Sequence, residues 1–318
     1  MEYREKKTEG NLTVMMEFIL LGFSDLPDHQ VFLFGIFLFI YISILLGNGL
    51  VIVITKIEPI LQTPMYFFLR NLSFVEICYT SVILPRILVN LWTQKRNLSL
   101  LACAAQLCFF LILAVTESYL LTLMAYDRYM AICKPLYYPV IMNPKFCFQM
   151  VIVCWTSGIP IIIGQTYQVF SLPFCYSNKV NHIFCEIPPL MKLTCGDISG
   201  DEYFIYADCV LFVLIPLLLI IFSYTRILTI ILKFPSSTGR SKAFSTCSSH
   251  LMVVILFYGS ASIAYLKTKS NNRTDKIFSL IYTVVTPMFN PLTYSLRNKE
   301  FITAMKKIFS KCVISRSK

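Results

Sequence analysis

Charge is scarce in this chain. Only 14% of its 318 residues are Asp, Glu, Lys or Arg, against 56% hydrophobic residues, and a soluble protein of this size cannot cover its surface with so few ions. No nucleophile stands beside a partner base and no glycine-rich phosphate loop occurs, so the chain offers nothing to enzyme chemistry. The opening MEYREKKTEG has charges but no apolar core of its own, and no cleavable signal peptide is expected there. No repeat period is visible, which counts against transporters built from inverted repeats.

What the chain does have is apolar runs of about 20 residues, the length that crosses a hydrocarbon core of about 30 Å. Seven are expected: Val31–Thr55, Pro64–Ile87, Leu100–Ile132, Phe146–Tyr167, Tyr203–Leu232, Ala243–Leu266 and Lys276–Ser295. Arg70, Glu76 and Arg86 interrupt the second, and a Ser/Thr-rich start dilutes the sixth. The connections leave no room for a soluble domain. The expected fold is an all-α membrane protein: a seven-transmembrane helix bundle over 31–297, an extracellular segment over 1–30, and a cytoplasmic amphipathic helix and tail over 298–318.

An odd number of spans puts the termini on opposite sides, and the excess of Lys and Arg in the inner loops and tail selects a cytosolic C-terminus. The formal charge of +11 then faces anionic lipid and a cytosolic partner rather than nucleic acid. Asn11-Leu12-Thr13 is a glycosylation sequon in the extracellular segment, and Asn97 and Asn272 head two more on outer loops. In the tail, Phe301, Ile302, Met305, Ile308 and Phe309 share one helical face flanked by Lys306, Lys307 and Lys311, a pattern suited to the surface of the bilayer. Cys312 follows as a palmitoylation candidate or a plain thiol.

Of the 12 cysteines, Cys103, Cys175, Cys185 and Cys195 fall on the oxidising side, three of them in the long segment from Gln168 to Glu202. Four cysteines allow three pairings, and spacing does not choose among them. His182 and Glu186 beside Cys185 make a poor metal site, because a disulfide would occupy the sulfur.

Two constellations point to signalling. Asp127-Arg128-Tyr129 ends an apolar span, where ionised groups are expensive unless paired or wet. Arg128 can pair with Asp127 in one state and donate elsewhere in another, a bistable element; the plain alternative is a boundary pair snorkelling to the headgroups. Near the inner end of the last span, Pro291 removes a backbone donor, and the freed carbonyl with Asn290 makes a polar hinge. Glu76 and Glu117 are acids deep in apolar spans. Two such neighbours bind a cation or share a proton.

Gly47-Asn48, LSFVE (Leu72 to Glu76), Cys103, Asp127-Arg128-Tyr129, Pro216 with Tyr224, and Asn290-Pro291-Leu292-Thr293-Tyr294 resemble, in the same order, the rhodopsin-like G-protein-coupled receptors. More specifically, PMYFFLRNLS (Pro64 to Ser73), MAYDRYMAICKPLYYP (Met124 to Pro139), KAFSTCSSH (Lys242 to His250) and PMFNPLTYSLRN (Pro287 to Asn298) resemble the olfactory receptors of the tetrapod-type group. Phe257-Tyr258-Gly259 stands where most rhodopsin-like receptors carry Cys-Trp-x-Pro, and Tyr258 becomes the substitute switch candidate.

The resemblance implies an odorant receptor, in the plasma membrane and in the cilia of olfactory sensory neurons, that binds a small hydrophobic odorant and raises cyclic AMP through a heterotrimeric stimulatory (olfactory) G protein. It implies Cys103–Cys185 and Cys175–Cys195 bridges. Arg128 would engage the G protein, with Asp127 restraining it at rest and Tyr224 and Tyr294 rearranging inward. No cofactor is required. The resemblance also implies a sodium pocket at Glu76 and Glu117 with Asn48 and Asn290, the alternative being protonated, hydrogen-bonded acids. The implied ligand pocket has Phe110, Leu111, Ala114 and Val115 on one wall, Asp208 and Phe212 on another, and Tyr258, Ala261, Ser262 and Tyr265 on a third, closed by Ile187, Leu280 and Thr283. Asp208 in an apolar pocket could pair with an amine or accept from an alcohol, unless Tyr203, Tyr206 or backbone satisfies it. A non-olfactory chemoreceptor of the same fold, or a transporter or channel, are the rival readings.

Overall fold

A computed structural model describes residues 17–175, 177–195, 199–233, 237–266, 272–295 and 299–316. Asn11 lies outside them, and the side chains of Tyr265, Tyr294, Phe309 and Cys312 lie outside the described set as well.

The chain is a bundle of seven long helical runs. Five are long and apolar enough to cross a membrane: Pro27–Ile57, Pro64–Thr93, Leu100–Cys133, Pro144–Ser171 and Tyr203–Ile231. The sixth is the helix Ser237–Leu266, apolar over Cys247–Ile263. The seventh run comprises Asn272–Leu280, a widened π turn at Ile281–Val285 and Thr286–Ser295. Buried residues of the second and third spans form the centre of the core, among them Phe68, Leu72, Val75, Leu107, Leu120 and Met124. Large apolar side chains such as Phe39, Leu46, Phe222 and Ile255 remain exposed on the outer faces, as a lipid-facing surface requires.

Local chemistry sets the helix starts. Ser99 caps the third span, its Oγ accepting from the Ala102 amide at 3.2 Å, and Asn143 caps the fourth by accepting from the Phe146 amide at 3.0 Å, with Pro144 following. Pro64 opens the second, where its missing amide costs nothing. The fourth span is not continuous: it breaks between Thr156 and Ile159, where Gly158 lets the backbone approach Val115 of the third span.

Several edges differ from those expected from hydropathy. The second helix runs past Ile87 to Thr93, where Gln94 in a left-handed conformation ends it. The sixth begins at Ser237 rather than Ala243, because a polar segment on the aqueous side of a bilayer continues a helix without an apolar signal.

A three-stranded sheet was not foreseen. Strands β1 (Glu17–Leu20), β2 (Asn97–Ser99) and β3 (Lys179–Val180) lie in the order β2-β1-β3. β1 pairs antiparallel with β2, and parallel with β3. Such short strands carry no periodic signal; Phe18 and Leu20 of β1 are completely buried and hold the sheet on the bundle end. This end also carries the bridges Cys103–Cys185 and Cys175–Cys195.

At the opposite end the helix Lys299–Arg316 folds back along the first span. Phe301 and Ala304 are buried, Met305 and Ile308 pack beside them, and Lys307 forms an ion pair with Glu58 at 2.9 Å.

Candidate functional site: a cavity, an acid centre and an arginine switch

Three polar or hollow regions are stacked along the third span. Nearest the disulfide end is an apolar cavity of about 340 Å³. Phe110, Leu111, Ala114, Val115, Ile187, Asp208, Phe212, Ala261 and Ser262 line it, as expected. Tyr258, assigned by resemblance to the third wall, and Leu280 and Thr283, assigned to the closure, do not. The structure adds Tyr79, Ser118, Ile162, Gln165, Phe257 and Tyr282.

Two π turns account for much of the difference. In the fifth span Val210–Leu214 is widened, and four of its residues, Val210, Phe212, Val213 and Leu214, face the cavity. Pro216 supplies the cause: it has no amide to give the Phe212 carbonyl four residues back. The Ser118 hydroxyl donates to that carbonyl instead, at 2.7 Å. In the seventh span the widened turn Ile281–Val285 brings Tyr282 to the cavity wall, displacing the register that would have presented Leu280 and Thr283. Thr283 is completely buried and donates to the Ser279 carbonyl at 2.5 Å, while Leu280 packs on the core.

Over the cavity, aromatic rings link the spans to the loop. Phe110 meets Tyr79 at 5.3 Å, Phe184 at 5.1 Å and Tyr282 at 6.3 Å between ring centres. Behind them His182 and Glu186 belong to a buried polar knot. His182 Nδ1 lies 3.2 Å from the Phe184 carbonyl, and Nε2 lies 3.1 Å from Ser279 Oγ and 3.4 Å from Glu186. Ser279 and Tyr282 both donate to the Glu186 carboxylate. Burial lowers the His182 pKa and outweighs the opposing pull of Glu186. The knot ties the loop to the seventh span.

Beneath the cavity lies the acid centre. Glu76, Glu117 and Asn48 are completely buried and Asn290 nearly so. Asn290 Nδ2 donates to Glu76 Oε1. Asn48 Nδ2 donates to the Pro287 carbonyl at 3.3 Å, the carbonyl that Pro291 leaves without its helical donor. Among the described residues five oxygens find no donor: Glu76 Oε2, both of Glu117, Asn48 Oδ1 and Asn290 Oδ1. Such a set of hard oxygen acceptors suits an alkali or alkaline-earth cation, or protons.

At the far end is Arg128. It makes no ion pair with Asp127 among the described residues, contrary to expectation; Asp127 accepts from the Tyr138 hydroxyl at 2.9 Å instead. Adjacent residues on a helix point in different directions, so Asp127 turns to the loop while Arg128 turns inward. Burial and the Asp127 charge raise the Tyr138 pKa, which keeps the phenol a donor. Arg128 is half-buried, its Nε lacks a partner, and its charge reaches Tyr224, Cys247 and His250. Tyr129 packs beside Tyr126 at 6.4 Å.

The neighbour that motif matching missed is His250. Its Nε2 lies 3.1 Å from the Leu121 carbonyl, so Nε2 carries the proton and donates; Nδ1 therefore accepts from the Tyr224 hydroxyl at 2.8 Å. One imidazole thus joins the third, fifth and sixth spans. The segment KAFSTCSSH contains it, but nothing in its wording says which way the ring turns.

Residues 37–312 match the family described as Olfactory receptor. The chain is 54% identical to olfactory receptor 10AG1 of Homo sapiens over 93% of its own length and 99% of that protein. It is 51% identical to olfactory receptor 10A5 of Homo sapiens, over 97% of this chain and 98% of that one, and 49% identical to olfactory receptor 10A7, again of Homo sapiens, over 96% and 98%.

Proposed function

The chain belongs to the olfactory receptor family, and on that premise we propose that its apolar cavity is the odorant site and its Arg128 end the G-protein site. As a member of that family it is a multi-pass membrane receptor and not an enzyme. The observation that carries the site assignment is the cavity of about 340 Å³ with an almost wholly apolar wall, within the range of small-molecule sites. A small hydrophobic odorant fills it, and a ligand that binds the active arrangement more tightly shifts the bundle toward that arrangement.

The path from cavity to cytosol runs through named bonds. Ser118 on the wall holds the Phe212 carbonyl and shares a hydrogen bond with Tyr258, and about one to three turns further along the same spans Leu121, Tyr224 and His250 are joined. Changes at the wall therefore bear on the fifth and sixth spans just above Arg128. With the disulfides and sheet outside and the basic tail inside, Arg128 faces the cytosol, where a stimulatory olfactory-type heterotrimer takes the opened cleft and raises cyclic AMP. Localisation is the plasma membrane, and the cilia of olfactory sensory neurons. Expression with the olfactory G protein should give ligand-dependent cyclic AMP that Arg128→Ala abolishes at equal surface expression. Flux of a solute independent of G protein would sink the reading.

The five unpartnered oxygens around Glu76 and Glu117 support a sodium ion as an allosteric ligand at that centre. Replacing sodium by N-methylglucamine should lower the melting temperature of the purified chain, and Glu117→Gln should remove that dependence. Equal melting in both salts would favour protonated acids.

A further inference from the structure

The cavity is not uniformly apolar, and its polar groups are unevenly placed. Gln165, on the fourth span, is 7% exposed and lines the cavity, yet it has no hydrogen-bond partner among the described residues. Asp208, half-buried on the fifth span, lines the same space. Neither Tyr203, Tyr206 nor a backbone amide satisfies it: no donor or cation faces it among the described residues. The outer halves of the fourth and fifth spans pack against each other. Asp208 also stands immediately before the widened turn Val210–Leu214, the kind of local irregularity that helices carry at functional sites.

No Lys, Arg or His is among the described residues of the cavity wall. An ionised carboxylate can only accept hydrogen bonds, while the Gln165 carboxamide accepts through its oxygen and donates through its nitrogen. A carboxylate facing an apolar space is costly without a counter-ion. The uncompensated Asp208 charge makes the complement a head group that donates and carries positive charge, to which the Gln165 amide can turn its oxygen. An ammonium fits that description; an aldehyde or ester has no donor, and an acid would be repelled.

We propose that the cavity selects a small primary amine, its ammonium head held by the Asp208 carboxylate with the Gln165 carboxamide oxygen as second acceptor, and its hydrocarbon body lying against Leu111, Val115 and Phe212. This rests on the cavity being the ligand site of the receptor, and names the chemistry that site prefers. Ser118 is already committed to the Phe212 carbonyl and to Tyr258; Ser262 and the unpartnered Tyr79 hydroxyl are further polar groups of the wall, but Asp208 is the one that carries charge.

The test is a matched panel: six-carbon straight-chain, cyclohexyl and phenethyl bodies, each as amine, alcohol and carboxylic acid. Binding is read from the melting shift of the purified full chain in detergent, and signalling from cyclic AMP in cells. Amines are expected to bind at least about tenfold tighter than the matching alcohols, the scale of one charge-assisted hydrogen bond. D208N should erase that preference while leaving alcohol affinity within about threefold, since the side chain keeps its shape and loses its charge. Q165L should weaken the amines severalfold and spare the alcohols. Variants that still bind the alcohols are folded. Equal affinity for amine and alcohol, a preference that survives D208N, or no binding by any member of the panel overturns the proposal. Selective amine binding without a cyclic AMP response would leave it standing and remove the receptor assignment instead.

Discussion

Tyr258 and Ser118 share a buried hydrogen bond of 2.8 Å between the sixth and third spans. Ser118 has one proton and gives it to the Phe212 carbonyl, so Tyr258 must be the donor; its hydroxyl also lies 3.3 Å from the Ser118 carbonyl. A side chain on the cavity wall is thereby fastened to the sixth span.

Removing that donor should loosen the sixth span. Tyr258→Phe keeps the ring, which meets Phe257 edge-on at 5.0 Å, and deletes one bond worth about 1 kcal/mol, or roughly fivefold in a conformational equilibrium. Basal cyclic AMP is expected to rise by about that factor at equal surface expression. A basal level identical to the parent would show that this bond does not hold the switch.

The imidazole of His250 should couple to Tyr224 energetically. Tyr224→Phe and His250→Phe each break the bond between them, and His250→Phe also loses the Leu121 carbonyl, so the double variant should lose little more agonist efficacy than His250→Phe alone, with a coupling of about 0.5–3 kcal/mol. Strict additivity would mean that the bond contributes nothing to activation.

Gly158 offers a steric test of the cavity wall. A Cβ there would stand 2.8 Å from Val115 Cγ1, and Val115 lines the cavity. Gly158→Ala is expected to push Val115 inward and weaken the response to bulky ligands, and Val115→Ala in the same chain should restore it. Failure of the second substitution to rescue would place the damage in the backbone break of the fourth span instead.

The loop knot predicts a pH dependence of stability. Burial holds the His182 pKa below its ordinary value against the opposing charges of Glu186 and Asp275, with Lys276 acting in the same direction as burial. As pH falls below about 6.5 the unfolded chain takes up the proton first. Stability is therefore full above that pH, declines beneath it, and stops declining once the folded ring is protonated too. Melting temperatures at pH 7.5 and 5.5 should differ more for the parent than for His182→Asn; parallel shifts would exclude His182 as the source.

Sequence legibility followed the physics of the solvent. A bilayer demands long apolar helices with every backbone group satisfied internally, so the seven spans could be read from hydropathy, and the Asp-Arg-Tyr and Asn-Pro signatures from wording alone. The cavity wall is legible in the third span, where a regular helix carries Phe110, Leu111, Ala114 and Val115 to one face. It is not legible in the seventh, where a π turn puts Tyr282 rather than Leu280 and Thr283 on the cavity. Gln165 was missed because an amide on a helix has no signal until its surroundings are known.

By itself the sequence determined the membrane class, the helix count and the family, because composition, period and motif order are properties of the chain alone. Tertiary structure decided that Asp127 bonds Tyr138 and not Arg128, that His250 ties three spans, and that Asp208 and Gln165 face one cavity without partners among the described residues. Those are matters of which side chains meet, and they depend on helix rotation, a proline-freed carbonyl and a widened turn, none of which hydropathy records.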